Sequence, residues 1–215
     1  MTLRRVVLAT RSEGKLRELH EIFSGQGIEL VDPRGLGISE TEVEKQLESF
    51  GTFEENALAK ARYFFERSGG LPTFGDDSGL TVDVLGGEPG IFSKRWSGRS
   101  DVSGAALDEA NNAKLVARMD EVRRADPAHF TDAGRYVCVA AFKDAVGEMV
   151  QRAEVVGRVL REPRGKGGFG YDPYFDAPDL GGTFAEASLQ RTARESHRSR
   201  AFRAILSALR AEGRI

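Results

Sequence analysis

Two long apolar-rich runs, residues 135–143 and 149–160, are separated only by Asp144, Ala145, Val146, Gly147 and Glu148. Runs of that length on so short a link must fold back as an antiparallel hairpin, because a parallel pair needs a crossover of a dozen residues or more. The rest of the chain does not continue as hairpins. Residues 3–9 are short, β-branched and read as a buried strand, and residues 28–31 as a second. Residues 13–23 place Leu16, Leu19, Ile22 and Phe23 at helical spacing behind Ser12 as an N-cap. A further helix is expected over 53–67, with Ala57, Ala61 and Phe64 on one face and Gly69 and Gly70 ending it. Residues 72–74 read as extended, 80–85 as a strand and 101–124 as a long helix. Residues 196–212 form an amphipathic helix with Phe202, Ile205, Leu206 and Leu209 inward. The polar stretch 32–48 carries no assigned element. Strands and helices mix without a strict βαβ repeat, so the expected fold class is α/β with a mixed sheet flanked by helices. No repeat or linker interrupts the 215 residues, which are read as a single domain, 1–215.

Charge narrows the partners. The formal net charge is -2, with no run of basic residues, which argues against nucleic acid and leaves a small anionic ligand. No apolar stretch reaches membrane-spanning length and no signal-peptide pattern is present, so no membrane partner is expected and the protein is read as soluble and cytoplasmic. The single cysteine, Cys138, cannot form an internal disulfide. It sits in an apolar run without a neighbouring base, which makes it a buried strand residue rather than a nucleophile. Three scattered histidines and one cysteine give no zinc spacing.

Four segments carry polar chemistry. Thr10, Arg11, Ser12, Glu13, Gly14 and Lys15 lie between the first strand and the first helix, where unpaired N–H groups and a partial positive charge suit phosphate. Glu48 precedes the second helix, and Lys60 lies one turn beyond Asn56 within it; helix capping alone would account for Glu55 and Asn56. Asp76, Asp77 and Ser78 stand between Gly75 and Gly79. Adjacent carboxylates repel unless a cation or proton lies between them, and hard oxygen ligands suit Mg²⁺. The same residues could form an Asx-type turn. Finally, Gly165 to Asp172 contains G-x-G-x-x-G, but Pro173 and the extended Tyr174 and Phe175 preclude the helix that a dinucleotide fingerprint requires. A loop with Phe169, Gly170, Tyr171 and Asp172 suits a base pocket instead, a ring stacking and a polar group reading an edge. A serine triad built on Ser78 or Ser196 is rejected because neither sits on a nucleophile elbow. No P-loop of a kinase is present.

Taken in order, these segments resemble the inosine triphosphate pyrophosphatase family, over nearly the full chain. The resemblance rests on Thr10 with Lys15, on Thr52, Phe53, Glu55, Asn56, Ala57 and Lys60, on Asp76 to Leu80, on Gly168 to Pro173, and on Ser196, His197 and Arg198. It implies an elongated mixed sheet with two lobes around a central nucleotide-binding cleft, and a homodimer. It implies Mg²⁺-dependent hydrolysis of ITP, dITP and XTP to the monophosphate and pyrophosphate. Asp77 is implied as general base and metal ligand, with Glu48 completing the metal site. Residues 10–15 and Lys60 would hold the triphosphate. Asp76, Ser78, the loop Phe169, Gly170, Tyr171 and Asp172, Glu186, Thr192, His197 and Arg198 would complete the substrate site. Ser12 stands where the family usually has Asn, and Thr192 where it usually has Lys. Two other readings stay open from the sequence: a pyrophosphatase for other modified nucleotides, and a catalytically silent nucleotide-binding module.

Overall fold

The structure, a computed structural model, describes residues 4–215. Leu3, where the opening strand was expected to begin, lies outside the described residues. Among the described residues, seven strands and six α-helices follow one another. They are β1 (Arg4–Leu8), α1 (Glu13–Ile22), β2 (Ile28–Val31), α2 (Glu42–Lys45), α3 (Phe53–Arg67), β3 (Thr73–Val82), α4 (Ala105–Ala125), β4 (Ala133–Lys143), β5 (Glu148–Val159), β6 (Phe175–Ala177), β7 (Gly182–Thr183), α5 (Leu189–Glu195) and α6 (His197–Ala211). The strands make one sheet in the order β2-β1-β3-β4-β5-β6-β7. β1 runs parallel to β2 and β3, whereas β5–β6 and β6–β7 are antiparallel, so the sheet is mixed as expected. β4 and β5 are neighbours joined by residues 144–147, where the Asp144 N–H donates to the Gly147 carbonyl.

The chain divides into two compact units: one made of residues up to Asp77, Cys138–Ala153 and His197–Ile215, the other of Ser78–Val137 and Glu154–Ser196. In the first unit, Phe74 of β3 packs its ring against Phe23, Phe142 and Phe202, with centroids 4.7–5.7 Å apart across these rings. The helix over 53–67 starts with a capping arrangement: Thr52 Oγ1 accepts from the Glu55 N–H at 3.1 Å and donates to the Glu55 carboxylate at 2.8 Å. In the second unit, Tyr136 of β4, Phe175 and Phe184 stack edge-on or tilted at the centre of a separate apolar cluster that includes Leu115 and Met119 of α4.

One expectation needs correction. Residues 72–74 and 80–85 were read as separate elements with a turn-like tract between them, yet β3 runs unbroken from Thr73 to Val82, and Asp83–Leu85 is a short 3-10 turn. Gly75 explains why. A Cβ there would stand 2.5 Å from the Ala57 carbonyl oxygen and 2.9 Å from the Ala61 nitrogen. The glycine is therefore in the strand to let α3 lie directly against it, not to turn the chain.

Candidate active site

Asp76 and Asp77 lie mid-strand, and successive strand residues point to opposite faces. Asp77 shares its face with Gly75 and meets α3: its Oδ2 accepts from Asn56 Nδ2 at 2.9 Å, and its Oδ1 lies 3.4 Å from Lys60 Nζ. Asp76 turns the other way, to Lys15 at 2.8 Å and Arg198 at 3.4 Å. The two adjacent carboxylates thus do not need a shared cation between them, as the sequence suggested; each is answered by cations from a different helix. Both are almost fully buried.

Lys60 ties Glu48 to this cluster. Its Nζ lies 2.7 Å from Glu48 Oε1 while also reaching Asp77, so the two carboxylates expected to share a metal converge on one ammonium. Their surroundings push them in opposite directions. The charge of Lys60 foremost, against burial and with help from Lys15, holds Glu48 down to about 2. Burial raises the Asp77 carboxyl above its ordinary value despite Lys60 and Lys15. Burial would also raise Asp76, but Lys15, Arg198 and Lys60 outweigh it and hold that carboxyl well below the usual range. Burial would lower Lys60, yet Glu48 and Asp77 reverse this and keep it charged. Glu48 is thus the more readily ionised of the two carboxyls and Asp77 the more basic.

Sequence reasoning missed two members of this cluster. Asn56, attributed there to helix capping, is wholly buried; its Oδ1 accepts from the Phe50 N–H at 3.0 Å while its amide holds Asp77. Glu18 of α1 is buried and ion-paired with Arg198. Glu18 sits four residues before Ile22 and next to Leu19, on the stripe that the helical periodicity marks as inward, and that was the available signal. Arg198, expected to contact the base, is 2% exposed and held between Glu18 and Asp76. Its neighbour His197 is also buried; burial and then the charge of Arg198 drive its imidazole well below its ordinary value, so it is neutral at pH 7.

The segment 10–15 divides. Ser12 caps α1 as expected, accepting from the Lys15 N–H at 3.5 Å, and Lys15 turns to Asp76. Arg11 instead forms a two-pronged pair with Glu44 of α2, at 2.6 and 3.0 Å, and donates to the Ile38 carbonyl. Glu13 is exposed and 3.7 Å from Arg34. The short helix α2 falls in the polar stretch that the sequence left unassigned.

In the second unit the expected base loop is a tight turn. The Asp172 carboxylate accepts from the Phe169 N–H at 2.8 Å and from the Tyr136 hydroxyl at 3.0 Å. A Cβ at Gly168, whose φ is 72°, would collide with that carboxylate, so glycine is required there. Tyr171 is 4% exposed and its ring belongs to the apolar cluster, with its hydroxyl donating to the Ser93 carbonyl. Phe169 is the half-buried ring of the turn. Glu186 closes a local turn by accepting from the Thr183 N–H at 2.8 Å, and the Thr192 hydroxyl bonds back to the Leu189 carbonyl of its own helix. Ser78, the residue after Asp77 on β3, opens this unit.

Mg²⁺ can be tested against these donors. Among the described residues no three His, Cys, Asp or Glu side chains form a closed metal cage. Two carboxylates with hard oxygens, supplemented by ligand phosphates, are the ordinary protein share of a Mg²⁺ site. The ion pairs fall into two groups: Lys60 with Glu48 and Asp77, and Asp76 with Lys15 and Arg198, the latter also paired with Glu18. In the first group two carboxylates meet at one ammonium, and their donor chemistry fits the ion.

Comparison with known proteins places the sequence and the fold. The model of the Ham1 family matches residues 6–208. The chain is 46% identical over 210 residues to a protein of Frankia alni named dITP/XTP pyrophosphatase, covering 96% of this chain and 97% of that one. It is 42% identical to a protein of the same name from Thermus thermophilus, covering 95% and 91%. A solved HAM1 protein from Coxiella burnetii superposes with a TM-score of 0.79 at 30% identity, covering 96% of this chain and 98% of that chain. By sequence along nearly its whole length, and by fold, this chain belongs to the Ham1 family.

Proposed function

We propose that this protein hydrolyses the deaminated purine nucleoside triphosphates dITP, ITP and XTP to the monophosphate and pyrophosphate, with Mg²⁺ as cofactor. The observation that carries the reading is the meeting of Glu48 and Asp77 at Lys60, with Lys60 and Asp77 buried and Glu48 partly exposed. The names of relatives at 42–46% identity support the substrate class.

Glu48 and Asp77 would hold the ion, which when bound neutralises phosphate oxygens and makes the phosphorus more electrophilic. Asp77, made more basic by burial, orients the attacking water and takes its proton. Asn56 fixes the rotamer of Asp77, so the base stays aimed while α3 and β3 remain packed. Lys60 and Lys15 supply charge to the triphosphate, and the N–H groups at the start of α1 supply donors. Arg198 acts here through Asp76, as a buried counter-charge. The turn at Phe169 is assigned the base: a ring to stack on, and backbone groups beside the Phe169 and Gly170 N–H, which Asp172 and Asp108 already take, to pair with a 6-oxo purine. A 6-amino purine would leave such a donor unpaired, which penalises it more than a change of size would. Among the described residues no helix is long and apolar enough to cross a membrane. A cytoplasmic location and a homodimer are carried over from the family resemblance.

The test is release of pyrophosphate from dITP, ITP, XTP, dATP, dGTP and dTTP at fixed Mg²⁺. Preference for the first three supports the reading. Strong turnover of dTTP with feeble turnover of dITP would overturn it, as would tight dITP binding without turnover.

A further inference from the structure

Helix α4 holds the turn assigned to the base by both faces of a single peptide residue. The Asp108 carboxylate accepts from the Gly170 N–H at 2.9 Å, and Asn112, one helical turn on, donates its amide to the Gly170 carbonyl at 2.9 Å. Gly170 has a φ of 63°. Its two polar groups are therefore presented to α4 instead of to any strand partner. Between these two residues, Asn111 accepts from the Ser97 N–H at 2.7 Å and donates to the Lys94 carbonyl at 3.1 Å. One face of α4 thus fixes both the turn and the segment that receives the Tyr171 hydroxyl at Ser93.

Asn112 is held at a cost in stability. It is 7% exposed, and its Oδ1 has no hydrogen-bond partner among the described residues. A buried unpaired acceptor is costly, and an apolar residue of similar size would remove that cost but leave the Gly170 carbonyl without this donor. What the amide supplies is a donor at one position, the Gly170 carbonyl. Asp108 likewise reaches a backbone N–H of the turn, and its other contact, Lys94 at 3.2 Å, is a surface pair of little energetic weight.

We propose that Asp108 and Asn112 are positioning residues for base discrimination: they set the height of the turn at Gly170, and hence of Phe169, against the substrate's purine. This rests on the assignment of that turn to the base. Neither residue touches substrate; both act through Gly170. Displacement of a recognition element by about 1 Å costs up to about 100-fold in rate, so the effect should be readily measured.

The experiment measures kcat/KM for dITP and for dATP with Mg²⁺ in wild type and in Asp108→Ala, Asp108→Asn, Asn112→Ala and Asn112→Asp, with thermal unfolding of each. The expected result is a fall of about tenfold or more in the dITP/dATP ratio for Asp108→Ala, Asn112→Ala and Asn112→Asp. Asp108→Asn should stay near the wild-type ratio, because its amide oxygen still accepts from the Gly170 N–H. Asn112→Asp, which keeps the volume and sets an acceptor against the Gly170 carbonyl, carries the test if a truncated variant does not fold. A wild type that discriminates while every variant keeps its ratio and loses only thermal stability would overturn this inference alone. A wild type that hydrolyses dATP as readily as dITP would overturn the assignment of the turn, and this inference with it.

Discussion

Replacing Asp77 with Asn separates catalysis from folding. The substitution keeps the shape and removes the charge. The Asn56 amide, 2.9 Å from Oδ2, can still donate to the one remaining carbonyl oxygen, while the new amide nitrogen takes the place of Oδ1, 3.4 Å from Lys60 Nζ. Lys60 keeps its closer partner, Glu48, at 2.7 Å. Two effects on stability oppose each other: an attraction to Lys60 is lost, and the cost of burying a carboxylate is relieved. The net sign is given by the raised Asp77 carboxyl, which means that the folded protein disfavours its ionised form relative to water. The variant should therefore unfold at the wild-type temperature or slightly above it. Catalysis should fall by about 10²–10⁴, the usual contribution of a positioned base, or about 3–5 kcal/mol of barrier. Pyrophosphate release from dITP, followed beside differential scanning fluorimetry, reads both quantities. Activity within tenfold of wild type would refute the role of base, and a large fall in melting temperature would refute the argument from burial.

Other perturbations have defined signs. Lys60→Met leaves Glu48 and Asp77 facing each other without their common cation, a loss of about 3–5 kcal/mol in chemical denaturation, and added Mg²⁺ should restore more stability to this variant than to wild type. Gly75→Ala places a methyl group 2.5 Å from a backbone oxygen of α3, so unfolding should shift by at least about 1–3 kcal/mol; an unshifted denaturation midpoint would contradict the close approach of helix and strand. Asp144→Asn breaks the pair with Arg214 at 2.7 Å, both side chains being 9% exposed, at a cost of about 3 kcal/mol at pH 7. Burial opposes the Asp144 charge, but Arg214 and two backbone N–H groups hold its carboxyl below the ordinary value. Its stabilisation is therefore full well above the unfolded value of about 4 and lost as pH falls through the lower folded value, so the gap between the two proteins in urea titrations should narrow as pH falls below about 4.

What could be read from the sequence followed the range of the forces involved. α1, α3 and α6 were legible because their apolar spacing is local, as is the cap Ser12. The hairpin of β4 and β5 was legible because a five-residue link leaves no other path. β3 was misread because Gly75, Asp76, Asp77, Ser78 and Gly79 are turn formers by intrinsic preference. Only long-range partners make them strand residues: α3 against Gly75, and Arg198, 122 positions along the chain from Asp76. The same limit hid the pairing of Arg11 with Glu44, because a cation beside a helix N-terminus reads as a phosphate ligand until its carboxylate partner is located. Glu48, Asp77 and Lys60 were recognised by motif, but their common meeting point could be seen only in three dimensions.

The most direct measurement is calorimetric titration of Mg²⁺ into the protein with a non-hydrolysable dITP analogue, for wild type, Glu48→Gln and Asp77→Asn. Wild type should bind the ion with the analogue present, and each neutralised variant should lose that binding while staying folded. Undiminished Mg²⁺ binding by both variants would contradict the claim that these two side chains hold the ion.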